Sequence, residues 1–334
     1  MILTVTLNPC VDKTIALESL TLGVFNAAVE AHDVAGGKGV NAARMVKHLG
    51  APVRPLVLLG GESGRLIERL LRDHDGLDPI TVWTGAPTRN IVTVYDRDRK
   101  CATAYVEPSP RVTEAEAAEL MDRYAAALDD AEIVCFGGSA PDAILDDAYR
   151  RMIEQAKARG IRTILDSRGE ALRRGLEAAP FMVKPNVVET EHLLGRPLPD
   201  ADSRSSTSLG TVPPTPAPME SGSASKGRWQ AVDWYRKLGI EVVALSLGRA
   251  GALIDWQGSR WHAQPPPIAE VNPVGSGDCL VAGFACGLLW GWEPERALRL
   301  AIAAGAANAA VWDAASPSRA DVESLMPRVV LVER

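Results

Sequence analysis

The stretch "NPVGSGDCLVAG", Asn272–Gly283, decides how the chain is read. Three small residues, Gly275, Ser276 and Gly277, stand directly before an acid, Asp278, and small apolar residues follow. A glycine turn that enters a helix points several backbone N–H groups one way, and the helix dipole adds positive potential there. A transferring phosphoryl group needs such donors. An Asp just inside the helix can take the proton of an attacking hydroxyl. The alternative is an ordinary first helical turn, where Gly, Ser and Asp are common.

Outward from this turn the chain alternates two patterns. "ILTVTL" (2–7), "VRPLVLLGG" (53–61), "EIVCFGG" (132–138), "IRTILDS" (161–167), "FMVKPN" (181–186) and "VVALSLG" (242–248) read as apolar strands. "VNAARMVKHLG" (40–50), "SGRLIERLLRDHDG" (63–76), 112–131, 143–160, 277–291 and 294–312 carry helical spacing. Thr113 with Glu116 makes a capping box at the start of 112–131. Apolar strands alternating with helices predict an α/β fold with a mostly parallel sheet covered on both faces. Ligands in such sheets sit beyond the carboxyl ends of the strands. The segments 89–98 and 100–108 alternate apolar and polar residues around Asp96–Arg99, which predicts a solvated hairpin outside the main sheet. The Ser/Pro-rich stretch 200–227 has little to bury and predicts a disordered insertion.

The 334 residues are 46% hydrophobic and 23% charged, with a net charge of −6. That is soluble globular composition, with no basic stripe for nucleic acid. No window is apolar enough for a membrane span, and the start has no signal-peptide pattern. Five cysteines at wide spacings, without CxxC, predict reduced thiols and a cytoplasmic location.

Two further stretches could carry chemistry. In "AGGKGVNAAR" (35–44) a glycine turn opens a helix, but Val40 and the glycine spacing exclude a Walker A loop. Lys38 could hold a phosphate and Asn41 a sugar hydroxyl; a tight turn with a surface lysine is the other reading. In "KPNVVETEHLLG" (184–195), Asn186 and Glu189 share a helix face and could orient hydrated Mg²⁺, or could be an N-cap and its capping-box partner. Asp12 could touch sugar hydroxyls or only cap a turn. Arg89 could pair with a phosphate or be solvated. "SLGRAGA" (246–252) could pass nucleotide phosphates or be a β-turn. The tryptophans, Trp312 among them, read as core or packing residues.

The order of these stretches resembles the ribokinase-like (PfkB) family of carbohydrate kinases. The likeness runs through "TVTLNPCVDKT", "GGKGVNAARMVKHLG", "TRNI", "GGSAPD", "LDSRGEAL", "KPNVVETEHLLG", "SLGRAGA" and "NPVGSGDCLVAG". "TLNPCVDKT", the lysine of "GGKG" and "EPSPRVT" point to the 1-phosphofructokinase and tagatose-6-phosphate kinase branch. The resemblance implies one three-layer α/β/α domain over 1–334, with a small β lid from about 10–32 and 86–108, and a homodimer through the lid. It implies ATP and Mg²⁺, the metal reached by Glu189 through water. Asp278 would be the catalytic base beside an anion hole of Gly275, Ser276 and Gly277. Asn186, Glu189, Ser246, Gly248, Gly251 and Asn308 would serve the nucleotide, Asn308 near the adenine. Asp12, Gly37, Lys38, Asn41, Arg89, Lys100 and Ser139 would hold the sugar phosphate. Fructose 1-phosphate is the expected acceptor and tagatose 6-phosphate the alternative. A kinase of unphosphorylated sugars and a non-catalytic sugar-phosphate sensor are the further readings. The chain departs from the family pattern at Pro273, Ser276, Ala140, Ser109 and at Arg168, where a small residue is common.

Overall fold

The structure, a computed structural model, describes residues 1–198 and 224–334. From the start the chain forms β1 (Ile2–Thr6), β2 (Cys10–Leu17), β3 (Glu30–Gly36), α1 (Lys38–His48), β4 (Val53–Gly60), α2 (Gly61–Arg69) and β5 (Ile80–Thr84). Then come β6 (Asn90–Asp96), β7 (Cys101–Val106), α3 (Glu114–Ala127), β8 (Ile133–Gly137), α4 (Ala148–Ala158), β9 (Arg162–Asp166), α5 (Gly169–Glu177), β10 (Met182–Val183) and α6 (Val187–Leu194). The last part holds α7 (Ala224–Lys237), β11 (Val242–Ser246), β12 (Ala252–Trp256), β13 (Ser259–Gln264), α8 (Ser276–Leu289), α9 (Pro294–Ala309), α10 (Arg319–Leu325) and β14 (Val330–Glu333).

A ten-stranded sheet runs in the order β14-β13-β12-β11-β10-β9-β8-β1-β4-β5. From β11 to β5 the strands are parallel, while β12, β13 and β14 continue antiparallel. Alternate strand residues go to opposite faces. Leu3, Val134, Leu165 and Val243 pack against α3, α4, α5 and α7. Ile2, Ile133, Ile164 and Val242 pack against α1, α8, α9 and α10. Each fully buried aliphatic side chain contributes about 1.5–3 kcal/mol, so both faces must be covered. The small residues of α8 and α9 let the two helices lie close. A methyl group on Gly283 would come within 2.7 Å of the Ala301 Cα.

A separate four-stranded sheet, β3-β2-β6-β7, stands beside this body. Val11 and Ala35 tie it to α1 and α2 through a third apolar cluster.

Two expectations change. The helix expected over 143–160 begins at Ala148, because Ala143–Leu145 forms its own 3₁₀ turn capped by Asp142. The strand expected over 181–186 shrinks to two residues. Pro185 has no N–H for the ladder, and the chain turns at Asn186 to start α6. The antiparallel strands β12–β14 extend the sheet beyond the expected strands; β12 is buried over Ala252–Asp255, while β13 alternates exposed and buried residues. Of the insertion expected at 200–227, residues 200–223 lie outside the described residues, and 224–227 already belong to α7.

Candidate active site

Gly275 takes φ +84°, a left-handed conformation that a side chain strains, and a Cβ there would meet the Ala314 Cβ at 2.9 Å. That turn starts α8 at Ser276. Gly277 and Asp278, at its second and third positions, have no intrahelical carbonyl for their N–H groups. Asn308, fully buried on α9, braces the turn. Its Nδ2 donates to the Val274 carbonyl at 2.8 Å and to Ser276 Oγ at 3.0 Å, and its Oδ1 accepts from the Ala315 N–H at 2.6 Å. Both ends of the amide are thus engaged inside the protein.

Asp278 sits on the first turn of α8 with 7% of its surface exposed. Asn41 on α1 donates from Nδ2 to its Oδ2 at 2.8 Å. Three residues along the same helix face, Arg44 donates to Asn41 Oδ1 at 3.3 Å and so fixes which end of the amide faces the acid. Arg44 is itself buried, held by Asp75 and the Ala35 carbonyl. Burial, followed by the charge of Asp166, pushes the Asp278 carboxyl up to about 7; Lys38, Asn41 and Lys184 pull the other way.

Lys38, expected at the sugar phosphate, meets two carboxylates in this structure: its Nζ donates to Asp166 Oδ1 at 2.7 Å and to Glu189 Oε1 at 2.9 Å. Burial opposes its charge, but Asp166, Glu189 and Asp278 hold the proton on more firmly than in water. Lys184, 3% exposed, lies 3.2 Å from Asp166 Oδ2, and a Cβ on Gly277 would come within 3.1 Å of its Nζ. Asp166 ends β9 and is fully enclosed. Burial would raise its pKa, yet Lys184 and then Lys38 outweigh it and keep it ionised. Asp166, Asp278 and Lys38 share one small cavity of about 10 Å³ with Cys135 and Gly137. Sequence alone does not mark Asp166, Lys184 or Arg44. Their signal is faint: an acid closing an apolar strand in "LDS", and a lysine before the Pro-Asn that ends β10.

Asn186 and Glu189 form the capping box of α6, so the bland reading holds. The same Glu189 also reaches Lys38, so it belongs to the charge cluster as well. Ser246 pairs with Asn186 across a parallel bridge and donates from Oγ to the Pro185 carbonyl at 3.2 Å. Gly248 opens the 3₁₀ turn that follows and Gly251 caps its end. Gly37 precedes α1 with φ +124°. Asp12 lies mid-strand in β2; burial first, then Asp313, raises its carboxyl, while His32 and Arg44 lower it. Arg89 Nη2 donates to the Asn8 carbonyl at 3.2 Å, and Asn8 Nδ2 reaches Ser139 Oγ at 3.4 Å. Lys100 is not brought to this group. It is exposed at the tip of the β6–β7 hairpin with φ 51°, carried there by the length of β6.

The small sheet also touches the segment after α9. His32 Nε2 lies 2.7 Å from Asp313 Oδ1, and Tyr95 meets Trp312 edge to face with ring centroids 4.6 Å apart. Trp312 is thus a contact between the two parts rather than a core residue. These side chains edge a cleft of about 770 Å³.

Residues 5–320 match the model of the pfkB family carbohydrate kinases. The chain is similar to phosphofructokinase-2 from Escherichia coli, solved in complex with fructose-6-phosphate, at 25% identity over 98% of both chains and a TM-score of 0.80. At the level of fold it also matches a possible 1-phosphofructokinase from Thermotoga maritima (21% identity, 100% of this chain and 99% of that one, TM-score 0.79). Arabidopsis thaliana ribokinase, solved with ribose and ATP, matches likewise (22%, 97% and 98%, 0.71). No helix among the described residues is long and apolar enough to cross a membrane. With its ribokinase-like α/β body and small second sheet, the chain belongs to the pfkB family of carbohydrate kinases and is a sugar kinase, a phosphotransferase that uses ATP.

Proposed function

We propose that the chain transfers the γ-phosphoryl group of ATP to a primary hydroxyl of a ketohexose monophosphate, with fructose 1-phosphate as acceptor and the 1,6-bisphosphate as product. One observation carries the reading: a buried carboxylate, Asp278, beside the unbonded amides of an α8 start that two lysines flank. Asp278 takes the hydroxyl proton while the oxygen attacks the γ-phosphorus and the bond to ADP breaks. The amides of Gly275, Gly277 and Asp278 and the Lys38 and Lys184 ammonium groups hold the charge of the moving group. Arg89 is left for the phosphate already on the sugar, and Asp12 for its hydroxyls. Asn186, Ser246, Gly248 and Gly251 line the approach of the nucleotide.

Mg²⁺ is expected with ATP and would neutralise phosphate charge. Glu189 fits a place in its water shell. Its two oxygens each hold one donor, Lys38 and the Asn186 N–H, which leaves lone pairs for metal-bound water. We read the small sheet as a lid that keeps water from the phosphoryl group. Leu22, Val24, Phe25, Tyr105 and Val106 are exposed on it and on its 18–29 loop, which supports pairing of two copies there. Five free thiols fit a cytoplasmic enzyme.

"TLNPCVDKT" and "EPSPRVT" support fructose 1-phosphate. Pro273 and Ser276 favour tagatose 6-phosphate as the second candidate, and the likeness to phosphofructokinase-2 adds fructose 6-phosphate. Measuring kcat/KM on these three, fructose and ribose decides. A charge-assisted bond to the acceptor's phosphate is worth roughly 1.5–3 kcal/mol, so a sugar phosphate should lead by about tenfold or more. A lead for fructose or ribose overturns the reading.

A further inference from the structure

We propose that Arg168 and Arg89 are two arms of one clamp for the phosphate on the acceptor sugar, making Arg168 a specificity-determining residue of this chain. The inference rests on the acceptor being a sugar phosphate, as proposed above.

The strand ends bring Arg168 and the anchor of Arg89 to neighbouring positions. β8 and β9 are parallel neighbours, with Gly137 opposite Asp166. Just beyond them, the Gly138 N–H donates to the Asp166 carbonyl at 2.9 Å, and Ser167 Oγ donates to the Gly138 carbonyl at 2.8 Å. Ser139 and Arg168 therefore leave the sheet side by side. Ser139 Oγ accepts from Asn8 Nδ2, and Arg89 donates to the carbonyl of the same Asn8. Arg168, exposed and next to Ser167, therefore stands at the strand end beside Ser139, and Arg89 is joined to that hydroxyl through Asn8.

Both arms lack a counter-ion. Among the described residues, neither arginine makes an ion pair, and Arg89 Nε is buried without any partner. Burial lowers the Arg89 pKa, and the positive charge of Arg168 lowers it further. Two cations facing one patch without a carboxylate repel each other when it is empty, and a phosphate dianion there answers both. Nothing in the local fold needs an arginine at this position. Arg168 is the N-cap residue of α5 and its side chain makes no capping bond, whereas a serine caps well.

Arg168→Ser separates the roles, because it keeps or improves the helix start while removing the charge. On the best sugar phosphate of the panel, with ATP saturating, KM for the sugar phosphate should rise about tenfold and kcat should change by less than about twofold. The rise of that KM with salt should become shallower. KM for fructose should not move, the melting temperature should not fall, and Arg168→Lys should recover part of the affinity. An unchanged KM for the sugar phosphate in Arg168→Ser overturns the clamp while leaving the kinase reading intact. If fructose outperforms every sugar phosphate in the unmodified enzyme, the acceptor assignment falls and the clamp falls with it.

Discussion

At the carboxyl ends of β9 and β10 the charges come in matched sets; at the rim beneath the small sheet they do not. Lys38 and Lys184 grip Asp166, Glu189 takes the other side of Lys38, and Asn41 answers Asp278. Arg89 and Arg168, by contrast, have no acid between them. The difference follows the chemistry proposed for each end. A phosphoryl group arrives, moves and leaves, so the groups that handle it must be stable when it is gone. The acceptor's phosphate brings its own charge and stays, so the protein can leave that place unbalanced.

The largest test of this contrast is Asp278→Asn. Loss of a positioned base should lower kcat by about 10²–10⁴-fold, measured by coupled ADP release. The variant should also melt higher than the parent at pH 8, since it removes a buried carboxylate whose ionisation the fold opposes. Near-normal turnover would break the assignment of the base.

Asp166→Ala comes next. It strands the buried Lys184 ammonium and leaves Lys38 with Glu189 alone, and removing one partner of a buried charge set costs about 3 kcal/mol or more, read by urea unfolding. A rim variant such as Arg168→Ser should show no such loss. If Asp166→Ala unfolds no more easily than the parent, the matched set is not a structural unit.

The smallest of these effects is the pH profile. Asp278 must be ionised to accept a proton, so kcat/KM should fall about tenfold per unit below pH 7 and level off above it. The sign for stability is the reverse of the usual carboxylate. In the folded state Asp278 keeps its proton up to about 7 but releases it near 3.8 when unfolded, so its contribution to stability declines from about pH 4 to 7. Asp166, held below the ordinary range, works the other way and loses its contribution as the medium is acidified through that range. A profile flat from pH 5 to 8 would remove Asp278 from the proton path.

How much of this was legible depends on distance along the chain. The parallel sheet, the Thr113–Glu116 cap and the glycine turn before Asp278 are local patterns, with each signal a few residues long. Asp166, Lys184 and Arg44 meet their partners only through strand order, so no spacing announces them. Asn308 was placed among the nucleotide contacts by resemblance, yet its surroundings in this fold use up its amide. Lys100 was placed at the sugar phosphate by resemblance, whereas the register of β6 and β7 carries it to the hairpin tip. β13 was missed because Arg260 and His262 alternate with Trp261 and Ala263, so the strand has no continuous apolar run to betray it.

The few residues after α9 serve two masters. Trp312 and Asp313 meet Tyr95 and His32 of the small sheet, while the Trp312 carbonyl accepts from Asn272 Nδ2 at 2.8 Å and Ala315 engages Asn308. In the reading proposed above, with the small sheet as lid and the α8 turn as phosphate cradle, one short tether joins the two. An open lid would then leave the cradle less firmly braced, and idle spending of ATP on water would be discouraged by mechanics as well as by exclusion.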